Sequence, residues 1–355
     1  MSRISEWLHT WKLEVPQTVR EVFSVFPIVA EHAPERDYVT LEEALHQGWV
    51  LIPETGTVER LRIHIKGAQT VLIPEGTILV GGWQNRVVNV SLLLAPNKAY
   101  EIPVSCVERR RWSPRRDRSC PSRRARTHED EERPIRTSEE QVEEREEAAD
   151  RFEVAEAVAP AQLRAEKLLA AFDGRDVQGE VWQAVSRRLA RAETSSPTED
   201  LTELYRRRRG SVEELVKPIG LVAGQVGALV AVGDRVLGLE VFDHPTTWRE
   251  VRHRVLSGYA AEAIQDDWTT GTVLSLEEAR RFVERTKAAL REAQRVPAPV
   301  GLGEHAQLKA HHPGDPKGLA LIHQERVIHL FAFPPEELDR NDFLRSRGRL
   351  RVIID

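Results

Sequence analysis

Short hydrophobic runs in which every second residue is apolar occupy much of the first hundred residues of the chain. Residues 60–66 are representative, because Leu and Ile at 61, 63 and 65 alternate with Arg, His and Lys. A strand with one face in solvent requires this alternation. The same reasoning predicts strands at 22–30, 50–52, 60–65, 70–73, 77–80, 86–94 and 99–107. Such short strands, separated by turn residues, indicate a small antiparallel β unit that is sandwich-like or barrel-like.

Apolar residues with helical spacing resume after residue 158. They predict helices at 160–172, 179–191, 200–208, 246–265 and 275–295. Ser275 and Glu278 form a capping box at the start of the last helix, and the sequence SVEE at 211–214 predicts a further helix start. Antiparallel hairpins are predicted at 226–242 and 320–333. The predicted fold class is therefore α+β: an N-terminal antiparallel β unit, a charged insertion, and then helices with further antiparallel hairpins.

Residues 113–158 interrupt both patterns with blocks of like charge. Residues 109–126 contain nine arginines and one acidic residue, whereas residues 129–150 contain eleven acidic residues and three arginines. The charged segment contains few apolar residues, and these cannot bury enough surface to offset the entropy lost on folding. We therefore predict a β-rich domain at 1–112, a charged and disordered insertion at 113–158, and an α+β domain at 159–355. The functional alternative for the insertion is an arginine arm that binds nucleic acid, or an acidic mimic of nucleic acid.

Composition and the absence of common motifs exclude several classes of function. The chain has 355 residues, a net charge of −5 and two cysteines, which lack CxxC spacing. No apolar run approaches the length of a bilayer helix and no signal peptide is present, so we expect a cytoplasmic protein that does not contact membranes. Net negative charge disfavours nucleic acid as a partner of the whole chain. The sequence contains no P-loop, HExxH or GxSxG motif, so it assigns no cofactor and no metal site.

A polar cluster in the otherwise apolar β unit is the strongest candidate for ligand binding. It comprises Gly82, Gln84, Asn85, Arg86 and Asn89. Glycine lets a ligand approach the backbone, and amide and guanidinium groups can bind a phosphate or a planar polar group. The structural alternative is a hairpin in which the same side chains hold turns together.

Two further groups of residues could carry out catalysis. Cys106 and Glu108 lie two residues apart, and therefore on one face of a strand; a buried core thiol is the alternative reading of the cysteine. Glu240, Asp243 and His244 gather at the end of a predicted strand, where carboxylates could act as general bases. The position of Asp243 before a helix is equally typical of an N-cap.

Several short motifs occur together along most of the chain. They are VGGWQNR at 80–86, IPVSCVE at 102–108, GLEVFD at 238–243 and SGYA at 257–260. In this combination the chain resembles the ARG and rhodanese-phosphatase-superfamily-associated protein domain family over residues 22–333. The charged segment at 113–158 departs from the family, which passes directly from the segment ending in Arg111 and Trp112 to the helices.

The resemblance implies a metabolic context for the protein but does not imply a particular reaction. The family is named for its gene-neighbourhood association with ADP-ribosylglycohydrolases and rhodanese-phosphatase proteins in prokaryotes. This association implies NAD-derived or ADP-ribosyl metabolism, or defence, with a nucleotide-type small molecule and ADP-ribosylglycohydrolase-type proteins as candidate partners.

Three functional hypotheses follow. The leading one is a binding or accessory protein that recognises an ADP-ribose-like or other nucleotide metabolite; Arg86 would pair with a phosphate while neighbouring amides contact a ribose or base. The second is a hydrolase or transferase in which Glu108 or Glu240 is the general base, assisted by Cys106 or Asp243. The third is nucleic-acid binding through the arginines at 109–126.

Overall fold

The computed structural model describes residues 3–112, 151–264, 273–309 and 314–335. The part before the gap at 113–150 contains two helices and eleven strands: α1 (Arg3–His9), β1 (Trp11–Leu13), β2 (Gln17–Val19), β3 (Phe23–Ala30), β4 (Tyr38–Thr40), α2 (Leu41–His46), β5 (Val50–Leu51), β6 (Arg60–Ile65), β7 (Thr70–Ile73), β8 (Thr77–Gly81), β9 (Arg86–Val88), β10 (Leu92–Leu94) and β11 (Lys98–Cys106).

The described part after this gap contains five helices and seven strands. They are β12 (Phe152–Val158), α3 (Ala161–Phe172), α4 (Val177–Arg191), α5 (Thr202–Val216), β13 (Gln225–Val232), β14 (Arg235–Phe242), α6 (Pro245–Ala263), α7 (Leu276–Glu292), β15 (Gln294–Pro297), β16 (Glu304–Leu308), β17 (Lys317–His323) and β18 (Arg326–Phe333). The described chain contains both helices and antiparallel strand pairs, which confirms the predicted α+β class. One strand pair, β4 with β7, is parallel.

A nine-stranded sheet forms the centre of the molecule. Its strands follow the order β1-β3-β13-β14-β18-β17-β16-β15, and β2 also pairs with β3. All eight residues of β13 are buried, because one face of the sheet packs on a core that includes Trp248 of α6 and the other on a core that includes Phe282 of α7. Burial on both faces explains why β3 and β13 are almost continuously hydrophobic.

A second sheet of six strands curls until its edges meet. Its order is β12-β8-β9-β11-β6-β5. An isolated bridge joins Pro53 to Arg151, and the Phe152 amide donates to the Ile52 oxygen at 3.2 Å. Alternate residues of β6, such as Leu61 and Ile63, fill the interior. The sheet therefore has a barrel-like form, and the Arg residues of β6 are exposed on its outer face.

Residues 152–158, which were predicted to belong to the disordered insertion, instead form strand β12. This strand pairs with β8 and buries Phe152 and Val158. Five of the seven residues of this strand are apolar, and the paired backbone and buried side chains compensate for its ordering. Residues 113–150 of the predicted insertion lie outside the described residues. Strands β1 to β3 pair within a sheet built mainly from the second half of the chain, and the division into domains stays a prediction.

Candidate functional site

Four of the predicted ligand-binding residues lie in or next to the loop between β8 and β9, and their polar groups contact other parts of the protein: Gly82, Gln84, Asn85 and Arg86. The fully buried Arg86 guanidinium donates to the Gln84 backbone oxygen (3.0 Å), to Gln84 Oε1 (3.2 Å) and to the Thr57 backbone oxygen (3.2 Å). Burial lowers the pKa of Arg86. Asn85 is also fully buried, and its Nδ2 donates to Asp200 Oδ1 at 2.9 Å. These contacts fix the conformation of the loop.

Glu108 and Arg111 form a buried ion pair against the same loop. Arg111 Nε is 2.8 Å from Glu108 Oε1 and Arg111 Nη1 donates to the Gly82 oxygen at 2.6 Å. The Asn85 amide donates to Glu108 Oε2 at 3.2 Å. The Cys106 thiol donates to the Glu108 backbone oxygen at 3.0 Å, and burial raises the pKa of this thiol. The structure therefore brings these candidates together, with the thiol of Cys106 and the carboxylate of Glu108 bonded to the protein. The buried Nε of Arg86 has no hydrogen-bond partner among the described residues.

The surroundings of this cluster include Asn89 and the first arginines of the Arg-rich segment. Asn89 Oδ1 accepts a hydrogen bond from Ser105 Oγ at 2.9 Å, which ties β11 to the residues after β9. Arg109 and Arg110 lie 3.9 and 2.6 Å from the carboxylate of Glu199. Arg111 pairs with Glu108, and the arginines from 115 to 126 lie outside the described residues, so the role of the predicted nucleic-acid arm stays a prediction.

Glu240 lies elsewhere, in a buried group of charges that we call the buried ion network: Glu75, Arg164, Lys167, Glu240 and His329. Arg164 donates to Glu240 at 2.8 and 3.1 Å and to Glu75 at 2.7 Å. Lys167 Nζ is 2.6 Å from Glu75 Oε1. Burial by itself would raise the pKa of Glu240, but Arg164 and His329 outweigh burial and lower it to about 2. A carboxylate with such a pKa is a weak base at neutral pH.

Ser91, His329 and Glu240 form a chain of contacts that resembles the triad of serine hydrolases. Ser91 Oγ is 2.6 Å from His329 Nδ1, and His329 Nε2 is 3.0 Å from Glu240 Oε1. All three residues are buried, and Ser91 Oγ also accepts from the Glu75 amide at 3.1 Å. A nucleophilic hydroxyl must reach its substrate. We therefore assign this chain of contacts to the buried ion network, where it connects the β unit to the nine-stranded sheet.

Asp243 follows directly after β14, and His244 separates it from α6. The N-cap of α6 is His244, whose Nδ1 accepts from the Thr246 amide at 3.1 Å, so Asp243 does not cap this helix. Instead, Tyr38 donates a short hydrogen bond to Asp243 Oδ1. Arg326 Nη2 is 3.6 Å from Asp243 Oδ2, which is beyond hydrogen-bonding distance. Oδ2 thus has no hydrogen-bond partner in the described parts of the chain, although Asp243 is only 1% exposed.

Asp243 lines a pocket of about 410 Å³ that we call the Asp243 pocket. Its other walls come from α1, from the segment after β3, and from the turn that leads into β18. It is lined by Arg3, Ile4, Glu6, Trp7, Thr10, His32, Ala33, Pro34, Asp243, Glu325, Arg326 and Val327. An apolar wall with a few converging polar groups is typical of small-molecule sites, and the volume lies within their usual range.

The ionisation of Asp243 differs from that of an ordinary carboxyl group. Burial raises the pKa of Asp243 to about 7, and the hydrogen bond from Tyr38 and the charge of Arg326 oppose this shift only in part. Burial and the nearby Asp243 charge raise the pKa of Tyr38 well above its usual value. A carboxyl group that titrates near neutral pH can accept a hydrogen bond, donate one or transfer a proton. Asp243 therefore combines a pocket, an unpartnered oxygen and a pKa near neutrality.

Sequence reasoning missed most of the residues that surround these two sites. Arg164 and Lys167 were not singled out, although they lie three residues apart and so share one face of α3 with apolar neighbours. Charged residues on the apolar face of a predicted helix are the signal that could have found them. Trp7 and Arg326 lie at opposite ends of the chain from each other, and no local pattern connects them to Asp243.

A family model described as the ARG and Rhodanese-Phosphatase-superfamily-associated Protein domain matches residues 10–333. The chain belongs to this family. The match confirms the resemblance found in the sequence, and it spans the buried ion network and most of the Asp243 pocket. The family name records an association with ARG proteins and with proteins of the Rhodanese-Phosphatase superfamily. No curated protein and no solved structure matches the chain at a significant level.

Two further observations concern metals and membranes. Within the described ranges, no group of three or more His, Cys, Asp and Glu side chains is placed to hold a metal ion. Each described helix is too short or too polar to cross a lipid bilayer.

Proposed function

We propose that this member of the family is a binding protein for an ADP-ribose-like or other nucleotide metabolite, and that the ligand occupies the Asp243 pocket. The observation that carries the proposal is made at Asp243: its buried Oδ2 lacks a hydrogen-bond partner within the described chain, and the residue lines a pocket of suitable volume. A buried acceptor without a partner costs roughly 1–3 kcal/mol. A ligand hydroxyl that donates to Oδ2 would remove this cost.

The other walls of the pocket fit the remaining parts of a nucleotide. The half-buried ring of Trp7 offers an aromatic surface for a base, and stacking of a base on an aromatic side chain contributes about 1–3 kcal/mol. A carboxylate such as Asp243 is a common acceptor for ribose hydroxyls. Arg3 and Arg326 line the same pocket and can pair with phosphate oxygens. The association with ARG proteins in the family name supports ADP-ribose as the first ligand to test.

This proposal gives the loop between β8 and β9 a supporting role. Gln84, Asn85 and Arg86 were predicted to contact the ligand, but their polar groups bond to Glu108, Asp200 and Thr57. A phosphate at Arg86 would have to replace contacts of a side chain that is fully buried. Arg326 of the Asp243 pocket also donates to the Glu35 backbone oxygen and to Asp37 Oδ1, but its side chain is 19% exposed, whereas Arg86 is fully buried.

The first prediction concerns ligand binding to the wild-type protein and to two pocket variants. We expect ADP-ribose to raise the melting temperature of the wild-type protein by several degrees, because saturation at 100 times the dissociation constant adds about 2.7 kcal/mol. Trp7→Ala and Asp243→Asn should lose most of this shift, because they remove the stacking surface and the free carboxylate oxygen. Differential scanning fluorimetry with ADP-ribose, AMP and NAD measures the effect, and titration calorimetry gives the affinities.

Matched controls separate pocket effects from general effects on folding. Trp112→Ala removes an exposed tryptophan outside the pocket, and Asp234→Asn neutralises an exposed turn residue. Both should retain the wild-type shift. Equal shifts in wild type and in the two pocket variants, or no shift with any of the nucleotides, would contradict the proposal.

A hydrolase or transferase acting on the same ligand is the second candidate, and the pKa of Asp243 near 7 favours it. A group with this pKa can both give and take a proton at neutral pH. We expect an enzyme to convert ADP-ribose into products that chromatography resolves, and Asp243→Asn to lose this turnover. Stable ADP-ribose in the presence of wild-type protein that binds it would leave binding as the function.

A further inference from the structure

A groove of about 400 Å³ lies between β1 and α7, separate from the Asp243 pocket. Its lining residues on the strand side are consecutive, from Trp11 to Glu14. Side chains alternate between the two faces of a strand, so a wall that contains four consecutive residues is the backbone edge of the strand rather than one of its faces. On the helix side the groove is lined by residues 280, 283, 284 and 287, which share one face of α7. We call this the β1 groove.

The edge of β1 that faces away from β3 carries free backbone groups. β1 is the outermost strand of the nine-stranded sheet. The Glu14 amide donates to the Pro27 oxygen of β3 at 2.9 Å. Because hydrogen-bonded positions alternate along an antiparallel pair, the N–H and C=O groups of Trp11 and Leu13 point to the outer side. No described residue forms a hydrogen bond to them. An open strand edge of this kind is a template for another extended chain.

The charges of the β1 groove and one buried hydrogen-bond donor indicate which side chains a bound peptide would have. Arg280 is exposed, and none of the described carboxylates lies within ion-pair distance of it. Lys287 Nζ lies 5.9 Å from the centre of the Trp11 ring and 2.8 Å from Glu284 Oε1, and Lys12 pairs with Glu31. The lining also contains Glu14, so Arg280 is the cation of the groove that lacks a carboxylate partner among the described residues. Trp11 is 5% exposed, and its Nε1 has no partner in the described ranges. These groups favour hydrogen-bond acceptors and negative charge.

We propose that the β1 groove binds an extended acidic peptide segment of a partner protein. The peptide adds a strand to the sheet through the backbone groups of Trp11 and Leu13, and an Asp or Glu side chain pairs with Arg280. Strand addition beside a helix is an established mode of peptide recognition, in which the backbone provides affinity and side-chain contacts provide selectivity. The uncompensated cation on the helix wall provides the charge complementarity.

A library of random 12-residue peptides displayed on phage tests this proposal on the full-length protein. We expect the selected peptides to be rich in Asp, Glu and β-branched residues. A fluorescein-labelled copy of an enriched peptide should bind wild type in an anisotropy titration, and at least tenfold more weakly to Arg280→Glu. Affinity should also fall as the salt concentration rises from about 50 to 500 mM.

Two matched pairs of variants identify the contacts. Arg281→Glu makes the same charge change one residue further along α7, outside the groove lining, and should bind like wild type. Leu13→Pro removes an outward N–H, as proline can at a strand edge, and should abolish binding, whereas Leu13→Ala retains the N–H and should bind. Circular dichroism establishes that each variant is folded. The proposal is overturned if no acidic peptides are enriched, or if they bind Arg280→Glu as tightly as wild type.

Discussion

Arg164→Met should lower the free energy of unfolding by about 3–5 kcal/mol, because removal of one partner leaves buried charges uncompensated. Arg164 is fully buried and contacts the carboxylates of both Glu75 and Glu240. Methionine fills similar space but provides no charge and no donor. Urea denaturation followed by circular dichroism measures the change, with the slope of the transition as a check on two-state behaviour.

The size of this loss of stability should depend on the burial of the arginine, and not simply on the removal of an arginine. Arg206 on α5 also pairs with a carboxylate, Glu203 at 2.5 Å, but its side chain is 70% exposed. Arg206→Met should therefore cost less than about 1 kcal/mol. Adding Glu240→Gln to Arg164→Met should restore part of the lost stability, because the double variant no longer buries that unpaired carboxylate. If Arg164→Met and Arg206→Met are equally stable, the buried ion network does not have the role assigned to it.

The local elements of the fold could be predicted from the sequence because each has a local cause. The alternation at 60–65 gave β6 within its observed bounds, and the capping box at Ser275 marks the start of α7. The pairing of β3 with β13 could not be predicted, because these strands are separated by about two hundred residues and both are hydrophobic along their length. Uniform hydrophobicity indicates burial but does not specify a neighbour or a register.

Three local predictions were wrong because tertiary packing overrode the local signal. The sequence at 211–214 predicted a new helix, but α5 continues through it from Thr202, since Leu204, Val212 and Leu215 bury along the same helix. The single strand predicted at 86–94 is divided into β9 and β10, which belong to different sheets. Strand β15 was missed, because it lies at a sheet edge with largely exposed residues and lacks a periodic pattern.

The candidate sites also differ in how much of each could be predicted from the sequence. The residues of the VGGWQNR motif lie together in the structure because they are adjacent in sequence, and Cys106 and Glu108 join them through the pairing of β11 with β9. Whether their side chains face solvent or protein depends on Arg111 and Asp200, which the motif does not contain. Asp243 could be named as a candidate from its position at a strand end. Its surroundings could not, because they come from three distant parts of the chain.

The stability of the protein should depend on pH through Asp243. Burial raises the pKa of this carboxyl group from 3.8 to about 7. Between these values the native protein holds a proton that the unfolded chain has released. The stabilisation from this proton is complete below pH 4 and is lost as the pH rises through 7, at about 1.4 kcal/mol per pH unit.

Asp243→Asn isolates this dependence, because asparagine has the shape of the protonated acid and still accepts the hydrogen bond from Tyr38. Urea denaturation at pH 5 and at pH 8 should show that wild type loses about 3 kcal/mol relative to Asp243→Asn over this interval. Asp234→Asn, at an exposed turn, should follow the wild-type curve at both pH values. Parallel curves for wild type and Asp243→Asn would mean that Asp243 is ionised throughout, which would remove the argument for proton transfer and leave its unpartnered oxygen as the feature that binds a ligand.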